Sequence, residues 1–166
     1  MIRSRRLVTC NRIIGKDRMD ELNSEQQAFA RDDDNGLSLI DVMKKYKPTI
    51  LLGVTAVGGL FTEELIKEMA SHVDKPIIFP LSNPTSKAEC TAEDAYKWTN
   101  GNLIFASGSP FDPVEMGDGR NFTISQCNNM YIFPGLGLGA SLCGAKKVTD
   151  RMLYLGAKGE SGHNFD

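Results

Sequence analysis

The chain has 166 residues, enough for about one domain with a core of its own. Its apolar share of 41%, charged share of 24% and formal net charge of −2 are those of an ordinary globular protein. That charge offers no electrostatic footing for nucleic acid or an anionic membrane surface, and no apolar run approaches the roughly 20 residues of a membrane-spanning helix.

Cys10, Cys90, Cys127 and Cys143 are scattered and form no CxxC pair, and the histidines are His72 and His163. Zinc-ligand spacing is therefore absent, and a reduced, intracellular protein fits best. The opening Met1-Ile-Arg-Ser-Arg-Arg6 is basic, with no acid before Asp17. Mitochondrial leaders share that pattern, as does a chain that begins at an arbitrary point. The expected location is the cytoplasm or the mitochondrial matrix.

Residues 1–36 are the least regular segment. Leu7-Val8 and Ile13-Ile14 suit a short strand or hairpin around Asn11. Asp32-Asp33-Asp34-Asn35-Gly36 reads as a solvated turn, since adjacent carboxylates repel and no converging metal partners are evident. From Leu37 the pattern sharpens. Ser38 can cap a short helix with Leu39, Ile40, Val42 and Met43 at helical spacing, ending before Pro48. Thr49-Ile-Leu-Leu-Gly-Val54 reads as a buried strand, and Thr62-Glu-Glu64 opens a helix with Leu65, Ile66 and Met69 inside.

Ile77, Ile78, Phe79 and Leu81 form the next buried strand, stopped at Ser82-Asn83-Pro84-Thr85. Pro84 keeps Asn83 extended and delays the following helix, so Asn83 stands just past the strand end. An amide there suits a carboxylate or hydroxy-acid ligand; an Asx-turn closed on its own backbone is the competing reading. Thr91 with Asp94 at the third helical position is a capping-box variant, for a helix ending near Gly101. Leu103-Ile-Phe-Ala106 is a third buried strand before Ser107-Gly-Ser-Pro110, and Met116-Gly-Asp-Gly-Arg120 reads as a hairpin turn. Met130-Tyr-Ile-Phe133 is a fourth apolar run, leading through Pro134 and three glycines to a last helix near Ala140. The segment 156–166 reads as a flexible tail.

Successive strand–turn–helix units predict an α/β, Rossmann-like, mostly parallel sheet with flanking helices. The strands at Gly53, Ser82 and Ser107 all run into small or turn-forming residues, which aligns three hydrogen-bonding loops on one sheet edge. Ligands of open parallel sheets bind at that edge. Gly135-Leu-Gly137-Leu-Gly-Ala140 satisfies G-x-G-x-x-A, yet too little chain follows for a βαβ unit with its acidic partner. Glycines permitting tight packing at a helix entry are the better reading. Gln126-Cys-Asn-Asn129 offers adjacent amides that suit a polar ligand or a nicotinamide carboxamide, and Cys127 reads as an unreactive thiol.

Four stretches are similar to the NAD-binding domain of malic enzymes: Lys47-Pro-Thr to Gly59-Leu-Phe-Thr, Phe79-Pro-Leu-Ser-Asn-Pro-Thr-Ser-Lys-Ala-Glu-Cys-Thr-Ala-Glu93, Ile104-Phe-Ala-Ser-Gly-Ser-Pro-Phe-Asp-Pro-Val114 and Gln126 to Gly135. The resemblance runs from about Leu37 to Asp150, with a looser likeness before it. It implies oxidative decarboxylation of malate to pyruvate with NAD or NADP and Mg2+ or Mn2+. Asn83 and Asn128 resemble the family's substrate-contacting asparagines. Gly53, Val54, Thr55, Leu81, Ser82 and Asn83 resemble positions bordering the cofactor. Cys127 stands where the family usually has glycine, so a thiol would crowd the space beside Asn128.

The family's tyrosine–lysine acid–base pair, metal-binding acids and glycine fingerprint lie upstream of the part represented here, and residues 1–36 supply none of them. The segment 37–155 is therefore expected to be a partial NAD(P)-binding domain, a fragment inactive alone that binds malate and cofactor within a complete enzyme. The alternative is a non-catalytic remnant that binds nucleotide weakly or packs on a partner subunit. Either way, uncovered apolar surface invites self-association or packing against the missing part.

Overall fold

The computed structural model describes residues 8–9, 12–33 and 35–160. The chain divides between Cys127 and Asn128 into two compact units.

The first unit opens with two short antiparallel strands, β1 (Val8–Thr9) and β2 (Arg12–Ile13), as the apolar pairs predict. Leu7, Cys10 and Asn11 of that reading, and Asp34 of the acidic turn, lie outside the described residues. Ile13 and Ile14 are buried and anchor the segment. A 3₁₀ turn at Lys16–Glu21 and a single helical turn, α1 (Ser24–Gln27), follow, with Asn23 and Gln26 forming a capping box. Asp32 pairs with Lys16 at 2.6 Å and Asp33 with Arg31 at 2.9 Å, so basic neighbours relieve the repulsion at this exposed turn.

Helix α2 (Leu39–Tyr46) starts at Ser38, whose hydroxyl accepts from Asp41 N–H in a full capping box, and stops at Lys47 in the left-handed region. Strand β3 (Ile50–Gly53) leads to α3 (Glu63–His72), capped by Thr62, and then to β4 (Ile77–Pro80). Pro84 does delay the next full helix. One 3₁₀ turn, Thr85–Lys87, comes first, and α4 (Ala92–Trp98) begins after Thr91, whose hydroxyl accepts from Asp94 N–H. Strand β5 (Ile104–Ser107) is followed by a hairpin, β6 (Val114–Glu115) and β7 (Asn121–Phe122), and then by β8 (Ser125–Gln126).

The main sheet has the order β3-β4-β5-β8 with every pair parallel. Leu51, Ile78 and Phe105 stand in register on one face. They pack with Leu39 and Met43 of α2, Leu65, Ile66 and Met69 of α3, and Ala95 and Tyr96 of α4. Burial of each large side chain there contributes about 1.5–3 kcal/mol. The opposite face carries Ile50, Ile77 and Ile104 in register, with Leu52 beside Phe79. Ile50, Leu52 and Ile104 are exposed, Leu52 by 57%. Parallel sheets are normally covered on both sides. Among the described residues, the helices of the first unit cover one face of this sheet, and on the other Ile77 and Phe79 are half-buried.

The second unit holds a 3₁₀ turn (Asn129–Tyr131), α5 (Phe133–Leu142) and α6 (Asp150–Glu160). Helix α5 begins seven residues before the Ala140 expected from sequence. Pro134 sits in its first turn, where a missing N–H costs nothing, so the glycine run continues a helix instead of preceding one. A side chain at Gly135, Gly137 or Gly139 would meet nothing within 4 Å, so tight packing does not explain these glycines. The tail expected from Gly156 is helical through Glu160. At Gly156 an added Cβ would come within 3.1 Å of Ile132 Cδ1, so glycine lets Ile132 lie against the helix.

Candidate functional site

Parallel pairing brings the carboxyl ends of β3, β4 and β5 to one edge. Backbone bonds continue past the strands: Leu81 N–H donates to Gly53 O at 2.8 Å, Gly108 N–H to Pro80 O at 3.1 Å, and Cys127 N–H to Ser107 O at 2.8 Å. The tips are thereby held in line. At Gly108 an added Cβ would lie 2.1 Å from Leu81 O, so glycine alone lets the β5 tip close on the β4 tip.

Asn83 stands exposed just beyond β4, before a cis peptide bond to Pro84. Its Oδ1 accepts from Ser109 Oγ on the β5 loop, and its Nδ2 reaches Leu81 O only at 3.4 Å. An Asx-turn closed on the amide oxygen is not formed, because that oxygen is taken across the sheet edge; the bond to its own backbone weighed from sequence survives in the long Nδ2 contact with Leu81 O. One end of the amide is fixed and its N–H2 end is only weakly engaged on an exposed residue.

Glu89 is the residue that sequence reading passed over. Its side chain is 0% exposed, although it follows a surface turn. Oε1 accepts from Thr55 N–H at 2.8 Å, Thr55 Oγ1 at 2.8 Å and Ser82 Oγ at 2.6 Å. Ser82 Oγ in turn accepts from Ala56 N–H at 2.9 Å. Burial alone would raise the carboxyl pKa, but the bonds from Ser82 and Thr55 outweigh it and hold the group below its ordinary value. Gly53 makes room for it, since an added Cβ would sit 2.4 Å from the Glu89 carboxyl carbon.

The residues singled out from sequence fall as follows. Val54 and Thr55 lie on the β3 tip, Val54 exposed and Thr55 half-buried; Leu81 is half-buried and Ser82 buried on the β4 tip. Gly53, Thr55, Ser82 and Asn83 are thus drawn into one hydrogen-bonded edge of the first unit. Asn128 belongs to the second unit, where its Oδ1 accepts from Met130 N–H at 3.0 Å and caps a 3₁₀ turn. Gln126 Nε2 donates to Gly108 O at 3.1 Å, so this amide braces the β5 loop. Burial, with the nearby Asp94 and Glu89 charges, pushes the Cys90 thiol up to about 12, whereas Cys127 and Cys143 are exposed free thiols. Among the described residues no three His, Cys, Asp or Glu side chains cluster as metal ligands. No helix among them is long and apolar enough to cross a membrane.

Helices between successive parallel strands and a laced, hydrogen-bonding carboxyl edge define a Rossmann-like domain, a class that takes nucleotides at that edge. Residues 7–161 match the family model described as the NAD binding domain of malic enzyme. The chain belongs to the malic enzyme family. It is 55% identical over 148 residues to an NADP-dependent malic enzyme of Dictyostelium discoideum, covering 88% of this chain and 27% of that protein. It is 59% identical over 119 residues to an NAD-dependent malic enzyme of Vibrio campbellii, 72% of this chain and 21% of the relative. A mouse NADP-dependent malic enzyme is 50% identical over 137 residues, covering 82% of this chain and 24% of its own length. The chain thus spans about a quarter of the length of these relatives. A crystal structure titled as a malic enzyme (malate oxidoreductase) shares the fold with a TM-score of 0.63 at 23% identity, over 89% of this chain and 35% of the other.

Proposed function

We propose that this chain forms the strand-tip wall of a malic enzyme's NAD(P) site, with Asn83 touching both substrate and nicotinamide. The observation that carries this reading is the laced edge itself: three neighbouring tips bonded to one another, with the Asn83 N–H2 weakly engaged on an exposed residue. The Thr55, Ser82 and Ser109 hydroxyls already donate within the edge, so the weakly held donor there is the neutral Asn83 amide, which suits a carboxamide or a malate carboxylate. Gly53, Val54, Thr55, Leu81 and Ser82 border the cofactor, and Asn128 is the second substrate-contacting amide. When bound, NAD(P) supplies a hydride acceptor for the hydroxyl-bearing carbon of malate, which then loses carbon dioxide to become pyruvate. The acid–base pair and metal ligands for that chemistry belong to the remainder of the complete enzyme. The open face of Ile50, Leu52 and Ile104 packs against that remainder, in keeping with a chain spanning 27% and 21% of two relatives.

Calorimetric titration of the purified chain with NAD+ and NADP+ tests the reading. Heat of binding that Asn83→Ala weakens about tenfold, the worth of one well-placed hydrogen bond, supports it. Absence of heat together with an unshifted melting temperature removes the cofactor role. Malate-dependent reduction of either nucleotide by this chain alone, with Mg2+ or Mn2+, would contradict the assignment of the reactive groups to the remainder.

A further inference from the structure

We infer that Glu89 is a positioning residue for the cofactor-facing loop, holding the Thr55–Ala56 turn and the Ser82 hydroxyl in the geometry the strand tips present. This rests on the function proposed above, because the loop matters only if a cofactor meets it.

A buried carboxylate without a cationic partner is costly, and a space-filling apolar residue would cost less. The groups bonded to Glu89 are all neutral: the Thr55 N–H, the Thr55 hydroxyl and the Ser82 hydroxyl. What an apolar residue could not do is gather donors from two loops onto one oxygen. The Ser82 proton is drawn to Glu89 Oε1, which turns the hydroxyl's lone pair toward Ala56 N–H. Ala56 needs that tether, since it has a Cβ and yet sits at φ +56°, in the left-handed region. The far end of the same loop is held by the same segment, with Gly59 N–H donating to Ala88 O at 3.2 Å and Phe61 N–H to Glu89 O at 2.9 Å. The loop from Thr55 to Phe61 is gripped at both ends. The carboxylate grips the end at the strand tip.

Amide hydrogen exchange and NAD+ calorimetry on the full chain carrying Glu89→Gln test this. The glutamine oxygen can take the Oε1 position, but its N–H2 then falls where Oε2 is buried with no hydrogen-bond partner, and the charge is lost. Exchange at Thr55 and Ala56 should quicken roughly ten- to a hundredfold while Ile78 in β4 is unchanged, and NAD+ affinity should fall about tenfold. Wild-type exchange rates at Thr55 and Ala56 would overturn the inference. So would faster exchange with unchanged NAD+ affinity, which would make Glu89 merely structural. If the variant does not fold, Ser82→Ala decides: faster Ala56 exchange beside an unchanged Ile78 upholds the relay, and an unchanged Ala56 rejects it. If the wild-type chain binds no NAD+, the proposed function falls while exchange still judges the grip of Glu89 on the loop.

Discussion

The two faces of the four-stranded sheet are built from the same residue types and meet different fates. Leu51 and Ile78 point into a core closed by three helices, while Ile50 and Leu52, on either side of Leu51, point into the open. Sequence composition alone does not separate them. Alternation along a strand does, because successive side chains face opposite ways. A strand apolar on both faces is made to be covered on both. The comparison teaches that the helices of this unit stabilise the sheet from one side and leave Ile50, Leu52 and Ile104 exposed on the other.

The sharpest way to break that contrast is Ile78→Ala. Ile78 is 0% exposed, so the loss of its side chain should cost about 2–5 kcal/mol by urea denaturation. A cost under about 1 kcal/mol would mean that the helix-covered face is not the core.

A smaller effect concerns how the covering helix is started. Thr62 Oγ1 accepts from Leu65 N–H at 3.4 Å at the head of α3. Thr62→Ala should cost about 1 kcal/mol, read by the same denaturation. An unchanged midpoint would make the long bond idle.

The carboxylate behind the strand tips adds a pH signature. Glu89 is held below its ordinary 4.5, so its contribution is fully present above that value and is lost as pH falls through its lower folded pKa. Its bonding partners do not titrate in that range, and the adjoining Cys90 thiol, with a pKa of about 12, stays protonated throughout. Asp94 is a nearby acid whose charge also acts on Cys90. The melting temperature should therefore drop on going from pH 6 toward pH 3, and less steeply in Glu89→Gln. Parallel curves would remove the linkage.

The smallest effect is expected on the open face. Leu52→Thr should change stability by less than about 0.5 kcal/mol and reduce light scattering of the concentrated chain. A large destabilisation would show that this face is already packed.

Much of this arrangement was legible because it is local. The strand runs at Ile50, Ile77 and Ile104 are continuous apolar stretches, and Ser38, Thr62 and Thr91 announce their helices through side chains that bond within three residues. Asn83 was legible as a strand-tip residue because Pro84 follows it. Its bond to Ser109 was not, since that partner is 26 residues away. Glu89 was hidden for the same reason: Thr55 is 34 residues away, and nothing beside a surface turn predicts a buried acid. The start of α5 was misread because glycines alternating with leucines, after a proline, carry turn chemistry and helix-start chemistry alike. The proline decided for the helix.

The central claim, that the carboxyl edge of this sheet is the cofactor-facing side, is tested most directly by nuclear magnetic resonance of the isotope-labelled chain during titration with NAD+. The account predicts shifts at Thr55, Ser82, Asn83 and Ser109, with Thr49, Pro76 and Leu103 at the opposite strand ends unmoved. Shifts confined to those opposite ends would contradict it.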